Sequence, residues 1–394
     1  MSSLINRPVE KIYFDYNATT PTHPSVTEFV KPFFSEFFGN PSSLHWAGRE
    51  VRGYFDDARE RVAGMINAKP GEIVFTGCGS ESDNHAIKGV AFSKKQKGNH
   101  IITTTTEHPA VLNTCRYLET IGYEVTYLPV DQEGLIEPDD VRKAIRKDTI
   151  LISIMYANNE TGNVLPLSEI GIIAREHDIF LHSDMVQAMG KIGIDMELLN
   201  VDLASFAGHK VYAPKGVGVL YMREGLEIES LIHGGHQEGG RRAGTENIIG
   251  AVAFGKACDV ISHDMVEETM RIEGLRQRLL DGILERIDHV RFNGHKTRRL
   301  PNTLNLSFEF VEAESLLIAL DLQGIAVSSG SACSSGSTEP SHVLLAMNIP
   351  PETCQSAMRF SLGRGNKKED VDFTLSVLPD IVARFRAMSP LYRK

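Results

Sequence analysis

IVFT (Ile73–Thr76), HIITTTTE (His100–Glu107), EVTYLPV (Glu124–Val130), TILISIMY (Thr149–Tyr156), IFLHSD (Ile179–Asp184) and LASF (Leu203–Phe206) are short runs rich in β-branched and apolar residues. Between them lie SDNHAIKGVAFSKK (Ser82–Lys95), HPAVLNTCRYLETIG (His108–Gly122), DDVRKAIRK (Asp139–Lys147) and LSEIGIIAREHD (Leu167–Asp178), whose apolar residues recur near the helical period. That alternation predicts an α/β fold with a doubly wound, mainly parallel sheet. Ligands of such sheets sit beyond the carboxyl ends of the strands, so the residue that follows each run is where chemistry is sought.

Beyond about residue 245 the pattern changes to two long helical stretches, then LNLSFEF (Leu304–Phe310), AVSSG (Ala326–Gly330) and MRFSL (Met358–Leu362), ending in the amphipathic DVDFTLSVLPDIVARFRAM (Asp370–Met388). This predicts a smaller α+β domain. The expected division is a large domain over 21–260 and a small one formed by 1–20 and 261–394, the latter carrying the Gly/Ser-rich loop SSGSACSSGS (Ser328–Ser337).

A chain of 394 residues, 42% hydrophobic and 23% charged, can bury a large core. Its net charge of −10 comes from dispersed acids, which argues against a nucleic-acid footprint or a polybasic membrane patch. Small molecules or proteins are the expected partners. No run of about 18 apolar residues suggests a membrane span, and the opening MSSLINRPVEK lacks a signal-peptide core, so a cytoplasmic location is expected. Cys78, Cys115, Cys258, Cys333 and Cys354 are scattered without a C-x-x-C pair, which disfavours a disulfide framework or structural zinc and leaves room for one reactive thiol.

Ser80 follows IVFT through Gly77-Cys78-Gly79 and opens a helix, either as an anion seat or as an N-cap whose capping-box partner is Asp83. His108 begins the helix after HIITTTTE, where it can stack on a flat ligand or simply be solvated. Asn159 follows TILISIMY as a hydrogen-bonding amide or a turn residue. Asp184 ends a buried strand, with Gln187 three residues on, and a buried carboxylate needs a partner. The protonated pyridine nitrogen of pyridoxal 5′-phosphate (PLP) would supply one, keeping the ring electron-withdrawing. Lys210, in SFAGHKVYAPKGVGVL (Ser205–Leu220), sits at a semi-buried strand end where desolvation frees its amine to attack an aldehyde. Its rival Lys215 lies in a Pro-Lys-Gly turn that reads as exposed. HGGHQEGGRRAGT (His233–Thr245) suits anion contacts, and Arg359 suits a bidentate clamp on a carboxylate or an ordinary ion pair. Cys333 has no neighbouring cation to activate it. What its loop offers is reach.

Together these residues resemble the cysteine desulfurases of the NifS/IscS group, within the fold-type I PLP enzymes. The resemblance is carried by FDYNATTP (Phe14–Pro21), GNPSSLH (Gly39–His45), SESDNHAIKG (Ser80–Gly89), TEHPAV (Thr106–Val111), ANNETG (Ala157–Gly162), HSDMVQAMGK (His182–Lys191), SFAGHK (Ser205–Lys210), RRAGT (Arg241–Thr245), SSGSAC (Ser328–Cys333) and RFSLGR (Arg359–Arg364), in order and at matching spacing. It implies that Lys210 carries PLP as a Schiff base, Asp184 pairs with the ring nitrogen, Gln187 and Asn159 contact the ring oxygen, and His108 stacks on the ring and moves protons. It also implies that Gly79, Ser80, Ala207, Gly208 and His209 surround the phosphate, which Thr245 reaches across a homodimer interface. Arg359, with Asn159, would bind the L-cysteine substrate. Cys333 would take the sulfur as a persulfide, pass it to an iron–sulfur scaffold protein, and transiently ligate the nascent cluster.

Departures from the family pattern are Ala207 for a common serine, Ser80 for threonine and Ala213 for glycine. None removes an essential group. The ending and the Cys333 loop resemble the NifS branch, which implies sulfur supply for nitrogenase clusters. Selenocysteine lyase or aminotransferase activity on the same fold is the alternative, and a non-catalytic sulfur carrier is a third reading.

Overall fold

The structure, a computed structural model, describes residues 11–329, 339–390 and 392. In chain order its strands are β1 (Ile12–Tyr13), β2 (Ile73–Thr76), β3 (His100–Thr104), β4 (Glu124–Leu128), β5 (Thr149–Ser153), β6 (Phe180–Asp184), β7 (Leu203–Ala207), β8 (Gly218–Met222), β9 (Val290–Phe292), β10 (Thr303–Phe308), β11 (Ile325–Ala326), β12 (Ser328–Ser329) and β13 (Ala357–Ser361).

Seven of them form the main sheet in the order β2-β8-β7-β6-β5-β3-β4. Pairing is parallel from β7 through to β4, while β8 runs antiparallel to both neighbours. Each predicted run contains a strand, although HIITTTTE, EVTYLPV and TILISIMY continue past the ends of β3, β4 and β5. Every residue of β2, β3, β5, β7 and β8 is buried, as expected for a sheet covered on both faces, whereas the edge strand β4 is only partly covered. Helices Gly79–Ser93 and Pro109–Glu119 cover one face through Ile87, Val90, Val111 and Leu118. The other face packs on Phe55, Val62, Phe254 and Ile261.

A four-stranded antiparallel sheet, β12-β13-β10-β9, holds a separate core that includes Leu306, Phe308 and Phe360. Ile12 and Phe14 join that core, and β1 pairs in parallel with β11. The two long helical stretches expected after residue 245 are present within Ile248–Arg286, meeting at a kink at Asp264 (φ −137°, ψ 20°). Asp264 is held there by the Arg364 guanidinium, at 2.9 and 2.5 Å. The helix therefore serves both cores: Phe254 and Ile261 pack in the first, Leu275 and Leu279 in the second. Its close approach to helix Trp46–Met65 depends on Gly255, where a Cβ would lie 2.7 Å from Ala58 Cα.

Candidate active site

β2 and β7 both run opposite to β8, and β3, β5, β6 and β7 run parallel, so the carboxyl ends of all five reach one edge of the sheet. A cavity of about 280 Å³ opens there. Gly79 and Ser80 enter it from beyond β2, His108 from beyond β3, Asn159 from beyond β5, Asp184 and Gln187 from β6, and Ala207, His209 and Lys210 from β7. Arg359 reaches it from β13 of the second sheet. Gly208 and Thr245 do not line it: Gly208 packs against Val217, and Thr245 is exposed.

The helix after β2 begins at Gly79, not Ser80, and its N-cap is Cys78, whose Sγ accepts the Glu81 N–H at 3.4 Å. The expected capping box is absent because Asp83 points inward and is fully buried. Ser80 is thereby moved into the first turn. There the Gly79 and Ser80 N–H groups have no intrahelical acceptor.

Asp83, His108 and Asp184 each place a ligating atom within 4.8 Å of the others. Burial pushes Asp83 well above the usual carboxylate range, with the Asp184 charge adding to it. His182, 3.6 Å from Asp83 Oδ1, does not compensate, because burial lowers its pKa to about 3 and Ser153 and Ser205 bracket its ring at 2.8 and 3.0 Å. Burial raises Asp184 too, but the Val186 N–H (2.9 Å to Oδ1) and the Lys210 charge oppose the shift. Of the two acids, Asp83 keeps the proton and Asp184 carries the charge. His108 caps helix Pro109–Glu119, its Nδ1 accepting from Ala110 N at 3.1 Å, which places the proton of the neutral ring on Nε2. Burial lowers its pKa and keeps it neutral. His209, with Nδ1 3.2 Å from Thr19 Oγ1, is lowered to about 4 by burial and then by Lys210.

Lys210 ends the short turn Gly208–Lys210 after β7, and its Nζ donates to the Asn17 and Ala18 carbonyls, both at 2.6 Å. Lys215 is exposed, as its turn implies. Arg359 is 1% exposed and spans Asp15 (2.8 Å) and the Asn159 carbonyl (3.0 Å), while its Nε has no partner among the described residues. The residue that ties these groups together is Asn17. Its carbonyl accepts from Lys210 and from Gln187 Nε2 (3.0 Å), and its side chain donates to the Asn159 carbonyl (3.1 Å) and Thr303 Oγ1 (2.8 Å). Sequence reasoning quoted Asn17 within a motif and gave it no role. Lys191 was passed over as well, although its i,i+4 spacing from Gln187 was a usable signal.

The cysteines sort by burial. Cys115 is pushed up to about 12, Cys354 to about 11, and Cys258 is also raised, so these three stay thiols. Cys78 is exposed and lines the cavity. Cys333, the sequence-predicted nucleophile and cluster ligand, lies outside the described residues.

Comparison with known proteins now decides the family. The model of the class-V aminotransferases matches residues 12–373. A cysteine desulfurase IscS of Dictyoglomus turgidum is 52% identical over 380 residues, 96% of each chain. Among solved structures, a NifS-like protein superposes with a TM-score of 0.89 at 38% identity, covering 95% of this chain and all of that one. Another, described as SspA in complex with cysteine, gives 0.79 at 39% identity, covering 89% of this chain and 98% of that one. The chain belongs to the class-V aminotransferase family, as a cysteine desulfurase.

PLP is the cofactor of this family, and the cavity of this desulfurase fits it. The unpaired N–H groups at the start of a 15-residue helix form a seat for a phosphate. Bare backbone is needed there, since a Cβ on Gly79 would meet Val186 Cγ2 at 2.9 Å. Asp184 offers a buried carboxylate to a ring N–H, and Lys210 brings a primary amine to the same space.

Proposed function

We propose that Lys210 holds PLP covalently in this cavity and that the enzyme withdraws sulfur from L-cysteine, releasing L-alanine and leaving the sulfur as a persulfide on Cys333. When bound, PLP supplies an electron sink for the substrate Cα. The remaining work falls to the chain. Asp184 keeps a proton on the ring nitrogen, and the first-turn amides of Gly79 and Ser80, with His209, hold the phosphate. Arg359 grips the substrate carboxylate beside Asn159. The Lys210 amine would carry the Cα proton, and neutral His108 would offer its Nε2–H in the same cavity. The thiolate of Cys333 attacks the substrate sulfur: the S–S bond forms, the C–S bond breaks, and the electron pair left on carbon takes a proton, so that thiol plus cysteine gives persulfide plus alanine.

The observation that carries this reading is the convergence of five strand ends and Arg359 on one cavity. Burial silences Cys115, Cys258 and Cys354, which leaves Cys78 and Cys333, and the family resemblance favours Cys333. We further infer that the persulfide goes to an iron–sulfur scaffold, for clusters that include those of nitrogenase, with Cys333 ligating in transit. The setting is cytoplasmic; no helix among the described residues is long and apolar enough to cross a membrane. Two domains meeting near residue 260 and a homodimer complete the reading. Exposed Thr245 would reach the partner's phosphate site. Phe34, Phe38, Leu44 and Trp46, 66 to 90% exposed, give a second copy apolar surface to cover.

Mass spectrometry of two separate samples tests this: borohydride reduction without cysteine should leave PLP on Lys210, and cysteine addition without borohydride should leave one added sulfur on Cys333. Cys333→Ala should lose alanine formation. Absence of both adducts overturns the reading, and sulfur on Cys78 instead overturns the Cys333 assignment.

A further inference from the structure

Lys191 is half-buried one turn beyond Gln187 and takes no part in the mechanism above. Its Nζ donates to Gln187 Oε1 at 2.7 Å and to the Gln187 carbonyl at 3.1 Å. It does not line the 280 Å³ cavity. Instead it shares with Lys210, Tyr16 and Tyr212 a second cavity of about 30 Å³ behind Lys210, space for about one water molecule. Whatever Lys191 does for a ligand in the larger cavity must pass through Gln187.

A side-chain amide can turn end for end, offering either a carbonyl oxygen or an N–H. An amine on Oε1 removes the choice, since the NH₂ end of Gln187 finds no acceptor in an ammonium. Nε2 is thereby turned to the Asn17 carbonyl, 3.0 Å away, and only the second N–H of Nε2 remains for the cavity. The same carbonyl accepts from Lys210 at 2.6 Å, so Lys191, Gln187, Asn17 and Lys210 form one continuous hydrogen-bonded chain.

We propose that Lys191 is a positioning residue that locks the Gln187 amide as a hydrogen-bond donor toward the cofactor, and through it sets the proton affinity of the Lys210 linkage. This rests on the reading of the larger cavity as the PLP site. A donor aimed at the negatively charged ring oxygen stabilises the unprotonated form of the linkage; an amide free to turn does so less. A neutral Lys191 still has N–H groups to donate but could also accept, so at high pH the orientation is held chiefly by the Asn17 carbonyl, which accepts from Nε2 at 3.0 Å. That matters here: burial, then the charges of Lys210 and Arg359, draw Lys191 down to about 7.

The experiment is a pH titration of the visible absorption of the PLP-loaded protein, which reports the proton on the Lys210 linkage independently of turnover. Lys191→Met should raise the midpoint by about half to one pH unit, a roughly three- to tenfold change in proton affinity for one hydrogen bond lost. Lys191→Arg, which keeps a donor, should stay near wild type. Gln187→Leu should reproduce most of the shift, and adding Lys191→Met to it should move the midpoint by less than about twofold in proton affinity. An unmoved Lys191→Met, or a Lys191→Met shift undiminished in the Gln187→Leu background, overturns the proposal. A wild-type protein with no such band would instead overturn the cofactor reading.

A second measurement needs no variant at position 191. The side-chain amide resonance of Gln187, identified by its loss in Gln187→Leu, should titrate in cofactor-free protein with the midpoint of Lys191, about 7. A resonance that stays fixed as pH crosses that value refutes the coupling.

Discussion

Glu107 is fully buried at the end of β3, next to His108, and burial lifts its pKa to about 8 against the opposing hydrogen bonds from Met155 and Thr104. Its Oε1 accepts from Thr104 Oγ1 at 2.7 Å and Met155 N at 2.9 Å. Because the folded-state value lies above the ordinary glutamate value of 4.5, the folded protein holds this proton more tightly than the unfolded chain. The resulting stability is complete below the unfolded value and is lost as pH rises through the folded one. At about 1.36 kcal/mol per unit, the loss between pH 5 and pH 8 is roughly 3 kcal/mol. Glu107→Gln keeps the acceptor oxygen and cannot titrate, so it removes this slope. Any constant gain or loss from its extra N–H cancels when the two pH values are compared. Calorimetric melting of wild type and variant, both without cofactor, should show the variant gaining on wild type as pH rises, by a total of about 6 °C at roughly 2 °C per kcal/mol. Parallel curves over that range would mean that Glu107 titrates normally, and the argument for a neutral acid beside His108 would fall.

Arg359→Lys replaces a planar fork, already committed to Asp15 and the Asn159 carbonyl, with a single ammonium that cannot serve both and a carboxylate as well. Steady-state alanine formation should show kcat/KM for L-cysteine falling roughly 10- to 100-fold, mostly through KM; an unchanged KM would remove Arg359 from the substrate site. Gly255→Ala should destabilise by about 1–3 kcal/mol although alanine is the better helix former, because its Cβ would meet Ala58 Cα at 2.7 Å. A higher melting temperature for this variant would show that the two helices have room to separate.

What was legible in the sequence follows one physical line. Most main-sheet strands are buried on both faces and read as β-branched and apolar runs, and the rule that ligands gather at strand carboxyl ends brought His108, Asn159, Asp184 and Lys210 into view, with the roles of His108 and Asn159 resting on the family resemblance. Each of these is placed by its own strand. Errors arose where one local element competes with another: Ser80 is a better N-cap residue than cysteine, yet Cys78 takes the position because Asp83 is drawn inward beside Asp184. By contrast, the two helical stretches expected after residue 245 are both present, meeting at a kink where Asp264 pairs with Arg364, 100 residues away.

The least legible feature is the one that joins the site. Asn17 accepts hydrogen bonds from Gln187 and Lys210, 170 and 193 residues further along, and does so through its main-chain carbonyl. Every residue has a carbonyl, so no choice of side chain at position 17 announces that contact. The side chain could not announce its role either, because its partners Asn159 and Thr303 come from the main-sheet crossover and the second sheet. The segment around Asn17 is thus a tether between the two sheets at Lys210. Residues such as Lys191, which act by steering one member of that tether, become visible only once the tether itself is seen.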